Sequence, residues 1–129
     1  MNDSTQLEMM KNAAINFYQM AYMGQPEEAV ALYVGDEYLQ HNPDVADGKQ
    51  GFIDYFDRMA SEYPEKNITF ERVVAEGNLV ALHTHQTWLD QEEYVTMDFF
   101  RFNTSGKIIE HWDSIQRIPD QSKNGRLMY

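Results

Sequence analysis

The sequence predicts an α+β fold in which three N-terminal helices pack against a curved antiparallel sheet. Apolar residues at helical spacing dominate the first half of the chain, and strand-forming residues dominate from Asn67 onward. Helices and strands that are segregated along the chain are typical of an α+β fold, not of a wound parallel sheet. A twisted sheet of this size curls, so helices over its concave face can leave a cone-shaped pocket.

Three segments have the apolar periodicity and the end signals of helices. The predicted helices cover residues 3–24, 26–35 and 49–63. Pro26 suits the first position of the second helix, and Gly24 and Pro64 mark where the first and third end. A short extended stretch, 38–41, and an irregular loop, 42–48, separate the second helix from the third.

Four long strands follow the helices. Gly77 and Asn78 predict a two-residue hairpin turn between strands over 68–76 and 79–88. A polar turn at 103–106 joins the last two strands, and Pro119 ends the second of them because proline cannot donate a ladder hydrogen bond. We therefore expect one domain over residues 1–129, in which the residues from about 120 form a tail.

The composition excludes several classes of protein. With 129 residues, of which 43% are hydrophobic, the chain can build a real core. The net charge of −11 argues against nucleic acid, membrane surfaces and strongly anionic substrates as partners, although an acidic surface can also serve solubility alone. There is no cysteine, so no disulfide or thiolate site forms. No signal peptide or membrane-spanning stretch is visible, and a cytoplasmic location is expected.

Polar residues inside the last hairpin form the candidate site. His111 and Asp113 are two residues apart on one strand and so point to the same face, while Trp112 points to the other. Strands that only build a core rarely carry so many polar groups, because each buried one needs a partner. An apolar pocket with a few convergent ionisable groups is the usual plan of a small-molecule site.

These residues also have structural alternatives. Asp113 can be a hydrogen-bond acceptor that holds a sheet edge, and His111 can face solvent or a second subunit. Asp98 beside Arg101 can form a structural ion pair. The sequence leaves both interpretations open.

The remaining histidines lie on neighbouring elements. His83 and His85 share a face of the preceding hairpin, and the sequence does not say which of them is functional. Together with His41 and Asp113 they could supply a metal site, although nothing in the spacing demands one. His41 ends the short strand before the irregular loop, so we expect it and Asn42 to lie at the pocket mouth.

Four stretches from residue 38 onward carry a family resemblance. They are YLQHNP at 38–43, NLVALH at 78–83, MDFFR at 97–101 and GKIIEHWDSIQ at 106–116. With Asp47-Gly48, Gly51-Phe52 and Phe56, they resemble the SnoaL-like polyketide cyclase family. The last stretch is similar to the closing strand of that family, and the tail is similar to the way its members end.

The resemblance implies the nuclear-transport-factor-2-like fold, a cystatin-like roll in which a cone of curved sheet packs against three helices, often as a dimer. It also implies an activity, because the family is named for polyketide cyclases that close a ring by aldol condensation without a metal or an organic cofactor. A pocket aspartate is their acid/base, and Asp113 is the matching position. The same fold hosts isomerases, epoxide hydrolases, dehydratases and binding domains, so the fold does not decide the function.

We therefore predict a cofactor-independent lyase or isomerase that acts on a small apolar carbonyl compound. The predicted catalytic residues are Asp113, His111 and His83. The predicted substrate-binding residues are His41, Asn42, Phe56, Asp98 and Trp112. The alternatives are a non-catalytic domain that binds a small apolar ligand, and a hydrolase of the epoxide type.

A homodimer through the outer face of the sheet is also expected. Along the last strand, Ile109 and Ile115 alternate with a second apolar set, which comprises Ile108, Trp112 and Ile118. A strand that is apolar on both faces is usually covered on both, and the helices can cover only one. A second subunit would cover the other face.

Overall fold

The computed structural model describes residues 3–88 and 92–129, which form three helices and five strands. The helices are α1 (Asp3–Tyr22), α2 (Pro26–Tyr33) and α3 (Gly48–Glu62). The strands are β1 (Val34–Gln40), β2 (Asn67–Glu76), β3 (Leu79–Thr87), β4 (Glu93–Phe102) and β5 (Ile108–Arg117). The predicted α+β class is confirmed.

The described strands form one mixed sheet in the order β1-β5-β4-β3-β2. Strands β2 to β5 pair antiparallel, as predicted, but β1 pairs parallel with β5. The sheet is therefore not antiparallel throughout. After β1 the chain forms α3 and then enters the sheet at the opposite edge, with β2. Strand β1 lies at the other edge, where it pairs with β5.

The second helix is shorter than predicted. It ends at Tyr33, and Gly35 already belongs to β1. A Cβ atom on Gly35 would lie 3.0 Å from the Cγ2 atom of Ile109, so the glycine allows β1 and β5 to approach closely. Packing at this edge explains the glycine better than a helix stop does.

The core lies between the helices and the face of the sheet that they cover, which we call the inner face. Phe17 of α1 stacks on Phe52 of α3, with ring centroids 4.7 Å apart. Phe17 also meets Phe100 of β4 edge to face, with centroids 5.9 Å apart. Burial of one such side chain contributes about 1.5–3 kcal/mol, so this aromatic cluster holds α1 and α3 against the sheet.

A register shift beside Arg101 interrupts the alternation at the start of β5. Ile108 and Ile109 are both buried there, and Ile108 packs into the core. This corrects the prediction that Ile108 shares a face with Trp112. Beyond the irregularity the alternation is regular, so His111 and Asp113 face inward as predicted.

The C-terminal tail lies against the outer face of its own sheet. The carbonyl oxygen of Met128 accepts a hydrogen bond from Nε2 of His83 at 2.9 Å. The ring of Tyr129 stacks on His85, with centroids 3.7 Å apart. Within the described residues, no helix is long and apolar enough to cross a membrane.

Candidate functional site

A cavity of about 80 Å³ lies between the helices, the inner face of the sheet and the loop at residues 41–47. Aromatic rings from α1, α3 and β4 form much of its wall. Polar side chains also line it, namely Tyr18, Gln40, Asn42, Asp44, Gln86, His111 and Asp113. This volume is below the roughly 300–1,000 Å³ of sites for drug-sized ligands. The cavity therefore suits a molecule smaller than a typical drug.

Asp113 is the carboxylate that faces this cavity from β5. Its side chain is 9% exposed, and Asn42 Nδ2 donates to its two oxygens at 2.8 and 3.1 Å. Burial raises the pKa of Asp113 above its ordinary value, and the charge of Asp98 adds to this, while His111 and the Asn42 hydrogen bond oppose it. A carboxylate with a raised pKa is a stronger base than one in water.

His111 lies between two carboxylates. Its Nε2 atom is 2.8 Å from Oδ1 of Asp98 and 3.9 Å from Oδ2 of Asp113. Asp98 and Asp113 are themselves partners across β4 and β5, and the side chain of Asp98 is fully buried. The regular strand pairing therefore brings the three ionisable groups together.

Gln40 determines which nitrogen of His111 carries a proton. Its Oε1 atom accepts hydrogen bonds from the backbone N–H groups of His41 and Asn42, at 3.1 and 3.0 Å. Because these two donors orient the oxygen, Nδ1 of His111, which lies 2.8 Å from it, donates its own N–H. The second nitrogen, Nε2, lies 2.8 Å from Oδ1 of Asp98 and is hydrogen-bonded to it.

A chain of buried hydrogen bonds extends from Asp98 into the core. Thr96 donates to Oδ2 of Asp98, and the hydroxyl of Thr84 is hydrogen-bonded to that of Thr96. Nε2 of Gln86 donates to Thr84 and to the hydroxyl oxygen of Tyr18, both at 3.0 Å. Each member has a partner, so the network fixes the position of Asp98 and, through it, of His111.

The same residues are close enough to hold a metal ion. One ligand atom each from Asp98, His111 and Asp113 lies within 4.8 Å of the others. However, both oxygens of Asp98 and both nitrogens of His111 already have hydrogen-bond partners, which an ion would have to displace. The larger set considered from the sequence does not come together, because His83 and His85 lie on the outer face.

His41 lies outside the cavity, which corrects its expected position at the mouth. Its ring stacks on Trp112, with centroids 4.9 Å apart, and its Nε2 atom is 2.8 Å from Oε2 of Glu110. Trp112, which was predicted to bind substrate, lies on this outer face as well. The side chain of Gln40 points inward, so that of the next residue points outward. Asn42 does line the cavity.

His83, predicted to be catalytic, also lies outside the cavity. Nη1 of Arg72 is 3.1 Å from its Nδ1 atom, so that nitrogen accepts and the other donates to Met128. Strand alternation places His83 between the inward-facing Leu82 and Thr84. Its contacts hold the C-terminal tail.

Of the other predicted residues, Phe56 lies at the cavity, and the ion pair considered as an alternative between Asp98 and Arg101 does not form. Phe56 lines the cavity, and Asp98 lies directly behind its wall in contact with His111. Arg101 is not the partner of Asp98; its Nε atom donates to Oε1 of Glu110 at 2.7 Å on the outer face. The roles of Phe56 and Asp98 in binding stay predictions.

The sequence interpretation missed Tyr18, Gln40 and Gln86. Gln86 had a usable signal, because it follows Leu82 and Thr84 at a spacing of two and must share their buried face. Tyr18 lies on the apolar face of α1, where a tyrosine looks like a core residue. Gln40 had no signal, because its position depends on the parallel pairing of β1 with β5.

Comparison with known proteins agrees with the fold. The model of the SnoaL-like domain matches residues 14–111. TsrD from Streptomyces laurentii is 19% identical with a TM-score of 0.72, over 90% of this chain and 92% of that one. A SnoaL-like polyketide cyclase from Agrobacterium tumefaciens strain C58 is 13% identical with a TM-score of 0.70, over 83% of this chain and 91% of that one. At such identities the likeness shows the fold alone.

Among curated proteins, none matches the chain. The family model nevertheless covers most of the sequence, including β1, α3 and the start of β5 up to His111. The chain therefore belongs to the SnoaL-like domain family.

Proposed function

We propose that this chain is a cofactor-independent enzyme that acts on a small, uncharged carbonyl compound, with Asp113 as its acid/base. The observation that carries the proposal is the placement of Asp113. It lies on a regular strand, faces an aromatic cavity and has its pKa raised by burial. A domain that only binds an apolar ligand needs no buried carboxylate, since burying one is costly.

The chemistry follows from what each group can donate or accept. Asp113 takes a proton from the carbon next to a carbonyl group, and the electron pair of the C–H bond moves toward the carbonyl oxygen. In an isomerisation Asp113 returns the proton to another carbon. In an aldol closure the carbon attacks a second carbonyl group, and the resulting alkoxide takes the proton from Asp113.

His111 supports the base and is not the donor to the substrate oxygen. Its two nitrogens are engaged with Gln40 and Asp98, so it has no free N–H for the cavity. Its charge, when protonated, favours the ionised form of Asp113. Asn42 holds the carboxylate in one orientation.

Turnover of a panel of small β-keto compounds tests the proposal. Replacing Asp113 by Asn keeps the shape and removes the base, so kcat should fall about 100- to 10,000-fold. Asp57→Asn is the matched control, because Asp57 is an exposed carboxylate on α3. If turnover by Asp113→Asn stays within a few-fold of the wild type, Asp113 is not the base.

A second experiment tests for a hydrolase of the epoxide type. Incorporation of labelled water oxygen into the diol formed from an epoxide would identify a hydrolase instead.

A further inference from the structure

Gly51 is a glycine inside a helix whose backbone conformation does not require one. It lies near the start of α3, and its φ is outside the left-handed region that favours glycine. Glycine is less favourable than alanine inside a helix, because it loses more conformational freedom on folding. The space that a side chain would occupy therefore explains the glycine better than its backbone does.

The backbone of the loop at residues 41–47 fills that space. A Cβ atom on Gly51 would overlap the carbonyl group of Ala46 and would lie 3.0 Å from the Cβ atom of the same residue. Carbon atoms that are not bonded to each other pack at about 3.5–4.0 Å. Because the overlapping carbonyl belongs to the main chain, no change of side-chain rotamer relieves the clash. A side chain at residue 51 therefore forces either α3 or the loop to move.

The loop is the part that yields. Helix α3 is anchored by Phe52, which is buried and stacks on Phe17 with ring centroids 4.7 Å apart. Most residues of the loop are exposed, Ala46 among them. Displacing aromatic rings from the core is more costly than lifting an exposed loop. A side chain at residue 51 is thus expected to push the loop away from α3.

The displacement reaches Asn42 because residues 42–45 form a compact turn. The backbone N–H groups of Asp44 and Val45 donate to the side-chain and main-chain oxygens of Asn42, at 2.8 and 3.2 Å. Ala46 follows this turn directly. The amide of Asn42 donates to the two oxygens of Asp113 at 2.8 and 3.1 Å, and such bonds usually span about 2.7–3.2 Å. A small movement of the turn is therefore enough to break them.

We propose that Gly51 is a positioning residue for Asp113. Its missing side chain allows the loop to pack on α3 with the amide of Asn42 on the carboxylate, and a side chain at this position separates the two. Gly51 acts through Asn42 and does not itself line the cavity. The inference rests on the proposed function only for the role of Asp113 as the base, because the contact with Asn42 needs no substrate.

Several groups besides Asn42 act on Asp113. Burial raises its pKa, His111 lowers it, Asp98 raises it, the hydrogen bond from Asn42 lowers it, and Asp44 raises it. Three phenols face it as well, with pKa values raised first by burial and further by the charge of Asp113, namely Tyr18, Tyr38 and Tyr55. Lifting the loop removes the Asn42 bond, but it also admits water and moves Asp44 away, which act in the opposite direction. The pKa of Asp113 in one variant therefore does not isolate the contact.

A double-variant cycle followed by NMR does isolate it. The ¹³C resonance of the Asp113 carboxyl, assigned with Asp113→Asn, is titrated in the wild type, Asn42→Ala, Gly51→Ala and the double variant. Asn42→Ala should raise the pKa of Asp113 in the wild type, because a hydrogen bond to the carboxylate is lost. In the Gly51→Ala background the same substitution should leave this pKa unchanged, because the bond is already broken.

Gln50→Ala is the matched control. Gln50 precedes Gly51 on α3, is exposed, and donates its side-chain amide to Asp54 of the same helix. In this background Asn42→Ala should raise the pKa of Asp113 as much as it does in the wild type. Gly51→Ala should keep the helical circular dichroism of the wild type and a Tm within a few degrees of it, because the loop moves and the core does not.

Two results would overturn the role of Gly51. One is an equal effect of Asn42→Ala in the wild type and in Gly51→Ala, whether the pKa of Asp113 rises in both or in neither. The other is a Gly51→Ala protein that does not fold, because the clash would then fall on the core. Failure of the proposed function looks different: if Asp113→Asn keeps full turnover while the cycle shows the coupling, the base assignment is wrong and the positioning of the carboxylate stands.

Discussion

The side-chain amide of Asn42 donates to both carboxylate oxygens of Asp113, at 2.8 and 3.1 Å. This contact connects the loop at residues 41–47 to β5, so the loop and the carboxylate hold each other in place. The loop is closed by two further bonds, from the backbone N–H of Gln40 to Asp47 at 3.0 Å and from that of Asp44 to Asn42 at 2.8 Å. The loop is therefore part of the support of the base.

Asn42→Ala should change how activity depends on pH. The hydrogen bond from Asn42 lowers the pKa of Asp113, so its loss moves that pKa further up. The base then ionises at higher pH, so the midpoint of the profile of kcat against pH should rise, with activity several-fold lower on its acidic side.

The variant His41→Ala, at the adjacent residue, is the matched control. It should leave the profile unchanged and cost about 0.5–1 kcal/mol of stability through the lost stacking on Trp112. An identical profile for Asn42→Ala would contradict the coupling.

Asp113→Asn should stabilise the protein at neutral pH. Burial raises the pKa of Asp113 in the folded state above its unfolded value, so the folded state holds this proton more tightly. The contribution of protonated Asp113 to stability is complete at a pH below the pKa of this carboxyl in the unfolded chain. It is lost as the pH rises through its pKa in the folded protein. Above that pH, Asn avoids the cost of a buried charge, and the free energy of unfolding should increase by on the order of 1 kcal/mol. Urea unfolding at pH 7 and pH 4 checks this, since the gain should shrink at the lower pH. A loss of stability at pH 7 would show that the charge itself holds the fold.

Asp98→Asn should be strongly destabilising. The side chain of Asp98 is fully buried, accepts a hydrogen bond from Thr96 and is hydrogen-bonded to Nε2 of His111. Removing one partner of a buried charged pair typically costs about 3–5 kcal/mol. Glu93→Gln is the control, because Glu93 is 48% exposed and its pair with His85 is worth at most about 1 kcal/mol. Equal free energies of unfolding for the two variants would mean that the buried network adds little to stability.

A homodimer through the outer face stays a prediction. Met97 and Phe99 are 50% and 47% exposed there, and Val74 is 63% exposed, so part of this face, beside the C-terminal tail, is apolar and uncovered in one chain. A second copy would bury these side chains. Light scattering should give twice the chain mass at micromolar concentration, and Phe99→Glu should give the mass of one chain. A monomeric wild type would argue against the dimer.

The sequence was informative where spacing along one strand decides the outcome. His111 and Asp113 are two residues apart, so a regular strand places both on the inner face whatever the rest of the chain does. The α+β class followed in the same way, because the helical and the alternating segments are separate and each is long.

The sequence was uninformative where distant segments meet. The position of His41 depends on the parallel pairing of β1 with β5, which follows from packing of the whole chain and not from local pattern. The irregularity beside Ile108 shifts the alternation of inward- and outward-facing side chains by one residue. No residue type at this point of the sequence predicts the shift. The contact of Gln40 with Nδ1 of His111 depends on the pairing of β1 with β5 and on this irregularity, because the two side chains meet across that strand pair.

Exchange of the α-protons of 2,5-hexanedione for deuterium in D₂O, followed by NMR, measures directly whether Asp113 acts as a base toward a carbon acid. Proton abstraction by Asp113 comes before every later step, so the measurement does not require the natural substrate. The wild-type protein should exchange these protons faster than buffer. Asp113→Asn should lose about 100- to 10,000-fold of that rate, and Asp57→Asn should keep it. Equal exchange rates for the wild type and Asp113→Asn, or a wild-type rate no higher than that of buffer, would contradict the assignment of Asp113 as the base.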